Sequence, residues 1–212
     1  MKSKAIIIGD SYSTFEGYIP EGYFVYYTKA DPSQSGVTDV SQTWWSLLAA
    51  EAELDIVLNN SWSGSTIGYT GYDNSDCSRS SSFIYRLREL KEKGFFDQNE
   101  IEKVFVFGGT NDSWSNAPLG EAGSEACEEK DLFFVLPAIG HFLKELKQTL
   151  PRADIYCLIN TEIKPEIAEC LHREALRHGI TPVSFEQIDK VCGHPTLKGM
   201  QDIKNGVLRA LK

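Results

Sequence analysis

The stretch IIIGDSYSTFEG, residues 6–17, places three isoleucines directly before Gly-Asp-Ser and follows them with hydroxyl and aromatic side chains. Consecutive β-branched residues favour a buried strand. Gly9 allows a sharp turn after that strand, because glycine has no Cβ to restrict its backbone. The stretch therefore predicts a strand whose carboxyl end displays the hydroxyl of Ser11.

Apolar runs of strand length recur along the chain and alternate with segments of helical period. This alternation is typical of a parallel sheet covered by helices on both faces. A chain of 212 residues suits one such domain and is short for two. We predict a single α/β domain over residues 1–212, a three-layer α/β/α sandwich with a five-stranded parallel sheet. The predicted strands cover residues 4–8, 55–58, 103–107, 154–159 and 180–184.

Five helices are predicted between and after these strands. The first begins with Ser41 as its N-cap, and the second ends at Gly94. In the third, over residues 130–150, Pro137 either kinks the helix or marks its true start. The fourth has Pro165 in its first turn, and the fifth closes the chain. Residues 12–40 and 108–128 remain irregular, and loops of such length are usually functional or disordered.

Composition excludes several classes of function. The net charge is −9, and the 21 Lys and Arg residues are scattered, so nucleic acid is not an expected partner. No apolar run approaches the roughly 18 residues of a membrane span, and the run near the N-terminus is too short for a signal peptide. The five cysteines include no C-x-x-C pair, which argues against disulfides or zinc. We expect a cytoplasmic protein without metal or cofactor, with Cys192 as a buried thiol.

Four of the five predicted strands lead into chemically useful residues. Ligands of open parallel sheets bind outside the carboxyl ends of the strands, which lie along one edge. The first strand leads to Ser11, the second to NNSWSGST with Gly64, the third to GGTND with Asn111, and the fifth to CGHP with His194. A serine, a glycine turn, an amide and an imidazole are thus expected to converge on one rim.

These residue types together indicate acyl transfer. A serine hydroxyl is a weak nucleophile until a base takes its proton, which His194 can do for Ser11. The tetrahedral intermediate carries an oxyanion, for which the backbone amide of Gly64 and the side-chain amide of Asn111 are suitable donors. Each residue alone has an ordinary structural explanation, in a cap or a turn. The combination favours catalysis.

The four segments resemble, in order, the signatures of the SGNH hydrolases of the GDSL esterase and lipase superfamily. IIIGDSYS resembles the segment that carries the nucleophile, here Ser11, and NNSWSGST resembles N-x-G-x-x-G, although Ser61 replaces the earlier glycine. FGGTND resembles G-x-N-D with its oxyanion Asn111, and GHPTLKGM resembles the segment with the base, His194. The resemblance spans residues 6–200. It implies a flavodoxin-like SGNH fold and a serine esterase that needs no cofactor and acts on a small-molecule ester.

One position departs from the family pattern. The family usually places an Asp three residues before the histidine, where it orients the imidazole, but Val191 stands there. Asp189 is the nearest acid. Either the loop bulges so that Asp189 reaches the ring, or a main-chain carbonyl orients it, or the base is poorly oriented and activity is low. We favour the carbonyl, since Cys192 and Gly193 allow a tight turn beside the ring.

Two other functions remain open from the sequence. A flavodoxin-like binding module would cradle a phosphate in SYSTFEG, but Asp10 and Glu16 would repel it. An SGNH-fold protein that binds a ligand without turnover would explain Val191. For an esterase, we expect short acyl groups, above all acetyl on a carbohydrate, as substrates. The aromatic residues after Ser11 belong either to the core or to a wall for a sugar or aryl group.

Overall fold

The computed structural model describes residues 2–122 and 127–211, and its centre is a five-stranded sheet. All neighbouring strands are parallel, in the spatial order β2–β1–β3–β4–β5. The predicted sheet is confirmed, although β2 extends three residues further than expected and β5 begins one residue later. The strands are β1 Ser3–Gly9, β2 Leu54–Ser61, β3 Lys103–Gly108, β4 Asp154–Ile159 and β5 Thr181–Ser184.

Both faces of the sheet are buried. Successive strand residues point to opposite faces, so Ile6 and Ile8 enter one apolar cluster while Ile7 enters the other. All three isoleucines are fully buried. Parallel sheets are usually covered on both sides in this way, which is why their strands read as continuous apolar runs.

Helices form the two outer layers of the α/β/α sandwich. Helices α2 (Phe83–Glu92), α5 (Val135–Thr149) and α6 (Pro165–Arg177) pack on the face of Ile6 and Ile8. Helices α1 (Trp44–Glu51) and α7 (Leu197–Ala210) pack on the face of Ile7. Two short helices, α3 (Phe95–Gln98) and α4 (Thr110–Trp114), complete the helical set among the described residues.

Several predicted boundaries are corrected by the structure. Helix α1 is capped by Thr43, while Ser41 lies in the preceding 3-10 turn. Pro137 lies in the first turn of α5, so it marks a helix start and produces no kink, as expected for a residue without an amide hydrogen. The segment before it forms a separate 3-10 turn, Glu129–Phe133.

The two long irregular stretches differ in structure. Residues 12–40 contain no α-helix or strand, yet Tyr12, Phe15 and Tyr27 within them are buried in the core. The stretch 108–128 contains α4, which was not predicted, and its residues 123–126 lie outside the described residues. No helix within the described part of the chain is long and apolar enough to cross a membrane.

Candidate active site

The carboxyl edge of the sheet carries the predicted site residues. Strand β1 ends at Gly9, and Ser11 follows in a 3-10 turn. Asp10 caps this turn, because its carboxylate accepts a hydrogen bond from the amide that follows Ser11. Glycine is needed at position 9, because a Cβ atom there would lie 2.7 Å from Oγ of Ser61 and 2.8 Å from Oγ of Ser13. Three segments of the chain approach one another closely at this point, so the strand ends at a residue without a side chain.

Ser11 and His194 meet as predicted. His194 Nε2 lies 2.9 Å from Ser11 Oγ, which is hydrogen-bond distance. His194 Nδ1 lies 3.2 Å from the carbonyl oxygen of Cys192. Because a carbonyl can only accept, Nδ1 carries the proton in this contact and Nε2 is free to accept one from Ser11. The carbonyl of Cys192 therefore selects the tautomer that a general base requires.

Asp189 does not reach the ring. Its carboxylate accepts a hydrogen bond from the hydroxyl of Thr196, and its carbonyl accepts one from the Thr196 amide at 3.0 Å. The structure thus corrects the alternative in which a bulged loop brings Asp189 to His194.

The physical reason is a tight hairpin between Asp189 and Thr196. Strand β6 (Lys190–Val191) pairs antiparallel with β7 (His194–Pro195), with Val191 directly opposite His194. The two turn residues, Cys192 and Gly193, have φ of 49° and 77°. Positive φ at both central residues is the signature of a two-residue hairpin turn. Such a turn leaves no extra length with which to fold Asp189 back onto the imidazole.

Two buried tyrosines hold this hairpin. The hydroxyl of Tyr12 donates to the carbonyl of Gly193, and the hydroxyl of Tyr27 donates to the carbonyl of Pro195 at 2.9 Å. The histidine is thus clamped on both sides through its neighbours' backbone. Sequence reasoning missed both roles, because a tyrosine in an irregular stretch gives no sign of the carbonyl that it will contact.

Aromatic rings surround the imidazole. The ring of Tyr26 stacks on it with centroids 3.6 Å apart and planes 7° apart, while Trp114 presents its edge at 5.6 Å. Burial lowers the pKa of His194, and the hydrogen bond to the Cys192 carbonyl opposes that shift. The imidazole is therefore largely neutral at pH 7 and able to take a proton. The Cys192 side chain is exposed, which corrects the prediction of a buried thiol.

Three groups on the turns that follow β1, β2 and β3 have hydrogens left to donate. Gly64 has a φ of 82°, in the left-handed region that glycine tolerates. Among the residues that the structure describes, neither the Ser11 amide nor the Gly64 amide donates a hydrogen bond. Asn111 Nδ2 donates one hydrogen to the Ser65 carbonyl at 3.0 Å, which leaves its second hydrogen free. Tyr72 donates to Asn111 Oδ1 at 2.9 Å and so fixes the amide's orientation.

Two buried carboxylates brace the turns without contacting His194. Asp10 accepts from the Tyr12 amide at 3.0 Å, and its complete burial raises its pKa to about 7. Asp112 accepts from the amides of Ile67 and Gly68, and burial raises its pKa to about 6. Within GGTND, the side-chain amide of the asparagine thus lies toward the site, while the carboxylate of Asp112 holds the turn that follows Gly64.

A buried arginine links the first two strand ends. Arg86 of α2 donates to the backbone and side-chain oxygens of Asn60, and to the Gly9 carbonyl and Ser65 Oγ at 3.2 and 3.1 Å. Burial lowers its pKa to about 10. The sequence offers no signal for this role, since Arg86 occupies an ordinary position within a helical period.

The aromatic residues after Ser11 divide between core and surface. Tyr12, Phe15 and Tyr27 are buried, whereas Phe24 is 70% exposed. Tyr23 packs against Trp62 with centroids 4.1 Å apart and planes tilted by 31°, and Phe24 packs edge-on against the same indole. The Phe24 carbonyl accepts from the Ser63 amide at 2.8 Å, beside Gly64. We call Tyr23, Phe24 and Trp62 the aromatic wall.

No cluster of three or more His, Cys, Asp or Glu residues suited to a metal ion occurs within residues 2–122 and 127–211. All four residues predicted for nucleophile, base and oxyanion binding lie at the same sheet edge. Only Asp189 is placed elsewhere. The arrangement provides a hydroxyl, a neutral base and a set of free hydrogen-bond donors, the parts needed for acyl transfer.

Comparisons with known proteins identify a matching family. The model of a family described as GDSL-like Lipase/Acylhydrolase matches residues 3–211. No curated protein gives a significant match.

Solved structures of similar fold include two proteins described as GDSL-like lipases. The one from Bacteroides ovatus is 35% identical, with a TM-score of 0.91, and the match covers 100% of this chain and 98% of that one. The one from Bacteroides uniformis is 36% identical, with a TM-score of 0.89 and coverage of 99% and 95%. An acetyl xylan esterase from Butyrivibrio proteoclasticus shares the fold at 18% identity and a TM-score of 0.62, over 99% of this chain and 63% of that one.

Proposed function

Because the chain belongs to the GDSL-like lipase and acylhydrolase family, we propose that it is a serine esterase that hydrolyses short acyl esters, in particular acetyl esters of carbohydrates. The observation that carries the proposal is the 2.9 Å contact between Ser11 Oγ and His194 Nε2. The amides of Ser11 and Gly64, on the turns at the ends of β1 and β2, donate to no other described group.

The catalytic cycle follows from these positions. Ser11 Oγ attacks the ester carbonyl carbon while its proton passes to His194 Nε2. The Ser11 amide, the Gly64 amide and the Asn111 side chain then donate to the oxyanion. His194 returns the proton to the leaving alcohol, and water repeats the sequence on the acyl-enzyme. The chain's own residues supply every proton transfer.

The surroundings of the site favour a bulky alcohol over a long acyl chain. The aromatic wall extends from the Gly64 turn and exposes Phe24. Flat rings with accessible faces suit the apolar side of a sugar ring or an aryl group. The acetyl xylan esterase that shares the fold is consistent with this class of substrate.

A panel of p-nitrophenyl esters, from acetyl to octanoyl, tests the acyl preference. We expect kcat/KM to fall steeply beyond about four acyl carbons, since each methylene that the pocket cannot hold forfeits up to about 0.8 kcal/mol of burial and adds a clash. Release of acetate from acetylated sugars tests the alcohol, with Ser11→Ala as the control. A preference for octanoyl esters, or no acetate from any sugar, would contradict the proposal.

A further inference from the structure

We infer that Tyr26 is a positioning residue for His194, whose ring holds the imidazole in place and stabilises its protonated form. The inference rests on the proposed function, because it concerns the residue that would act as base there. In this site the ring would take over part of the task that a carboxylate performs in a serine triad.

The contact itself is unusual. Aromatic pairs prefer offset or edge-to-face arrangements with centroids about 4.5–7 Å apart. Tyr26 and His194 instead lie nearly parallel, 7° from coplanar, with centroids 3.6 Å apart. A cation centred over the face of an aromatic ring is attracted by the ring's negative face. This close face-to-face geometry suits an imidazolium better than it suits two neutral rings.

Tyr26 is fixed by the nucleophile's own turn. Its amide donates to Thr14 Oγ1 at 2.9 Å, and the same hydroxyl donates to the Ser11 carbonyl at 3.1 Å. The next residue, Tyr27, reaches the Pro195 carbonyl beyond the imidazole. Movement of Tyr26 would therefore disturb both Ser11 and the hairpin, so its ring is well placed to hold the imidazole against Ser11.

The proton balance shows where stabilisation is needed. As the bond from Ser11 Oγ to the carbonyl carbon forms, the O–H bond breaks and the proton binds Nε2 of His194. A positive charge then appears on the imidazole and a negative one on the oxyanion. Behind Nδ1 stands the neutral Cys192 carbonyl, which carries only a partial negative charge. The π face of Tyr26 adds negative potential directly at the ring.

Other groups around the imidazole do not supply that charge. Ser11 and Tyr12 approach from the 3-10 turn, and Cys192 from the hairpin turn. Lys190 on β6 carries a positive charge, which lowers the pKa of His194. Among the described residues, no carboxylate forms an ion pair with His194.

The test is to replace Tyr26 by phenylalanine and then by phenylalanines with one, two and three ring fluorines. Fluorine withdraws electron density from the ring face and changes its shape little. We expect Tyr26→Phe to retain kcat within about threefold on p-nitrophenyl acetate. Along the fluorinated series kcat should fall stepwise, by about 2- to 30-fold in total, with little change in KM. The same fluorinated residues at the exposed Tyr18 are the matched control and should change nothing.

A second readout does not depend on turnover. The chain has four histidines, and the imidazole proton resonance of His194 can be assigned by its loss in His194→Gln. Its pKa should fall in the same order along the fluorinated series. Absence of esterase activity would refute the proposed function and leave this titration to decide the role of Tyr26. A pKa that stays constant along the series would overturn the inference.

Discussion

The two halves of the site are built differently. The half with Ser11, Gly64 and Asn111 lies on turns that follow β1, β2 and β3 directly, and buried groups such as Arg86 and Asp112 brace those turns. The half with His194 lies on a hairpin with a two-residue turn outside the main sheet, held by tyrosine hydroxyls that donate to its carbonyls and by a stacked tyrosine ring. The topology of the parallel sheet thus places the residues proposed as nucleophile and oxyanion donors, whereas the position of the proposed base depends on side-chain contacts with a hairpin outside the sheet.

The largest effects are expected at the point where the halves meet. Ser11→Ala and His194→Ala should each lower kcat for p-nitrophenyl acetate by about 10⁴- to 10⁶-fold, since the two residues act as one unit. The double variant should be no slower than either single one. Unchanged far-UV circular dichroism would show that the fold is intact, and additive losses would break the claim that the halves act together.

Asn111→Ala tests the half of the site that lies on the turns at the strand ends. We expect kcat to fall by about 10²- to 10³-fold with little change in KM, because the amide binds an oxyanion that exists only after the carbonyl has been attacked. Steady-state kinetics on the same ester measure both constants. An effect on KM alone would indicate that Asn111 positions the substrate instead.

The same contrast explains what the sequence could predict. The three isoleucines before Gly-Asp-Ser predicted both that β1 is buried and that Ser11 lies at its carboxyl end. Both predictions depend only on nearby residues, since side chains alternate along a strand and ligands bind at the carboxyl ends of parallel strands. Tyr12, Tyr26 and Tyr27 gave no such signal, since their partners Gly193, His194 and Pro195 are more than 160 positions away. Whether Cys192 or Asp189 contacts the ring depended on the turn conformation, which the sequence allowed but did not determine.

The dependence of activity on pH tests the half of the site that contains His194. Burial lowers the pKa of His194, and only the neutral imidazole can accept the proton of Ser11. We therefore expect kcat/KM to be constant above neutral pH and to fall about tenfold for each pH unit below an apparent pKa that lies under the usual value of about 6.5. A pH–rate profile measures this, and an apparent pKa well above 7 would indicate a nearby carboxylate.

A smaller effect is expected from loosening the hairpin. Tyr12→Phe removes the donor to the Gly193 carbonyl, which is only partly buried, so the lost hydrogen bond should lower the free energy of unfolding by about 0.5–1.5 kcal/mol. We expect kcat to fall by about tenfold, because small shifts of a base away from its nucleophile slow proton transfer. Urea unfolding and kinetics check the two effects, and a loss as large as that of Asn111→Ala would contradict the comparison.

Asp189→Asn tests whether the Cys192 carbonyl, and not a carboxylate, orients the proposed base. Asparagine keeps an acceptor for the Thr196 hydroxyl, and Asp202→Asn, which alters the acceptor of the Asp189 amide, serves as the matched control. Steady-state kcat on p-nitrophenyl acetate should stay within about tenfold of the parent enzyme in both variants. A loss of about 10³-fold or more in Asp189→Asn alone, close to the effect of removing the acid of a serine triad, would contradict it.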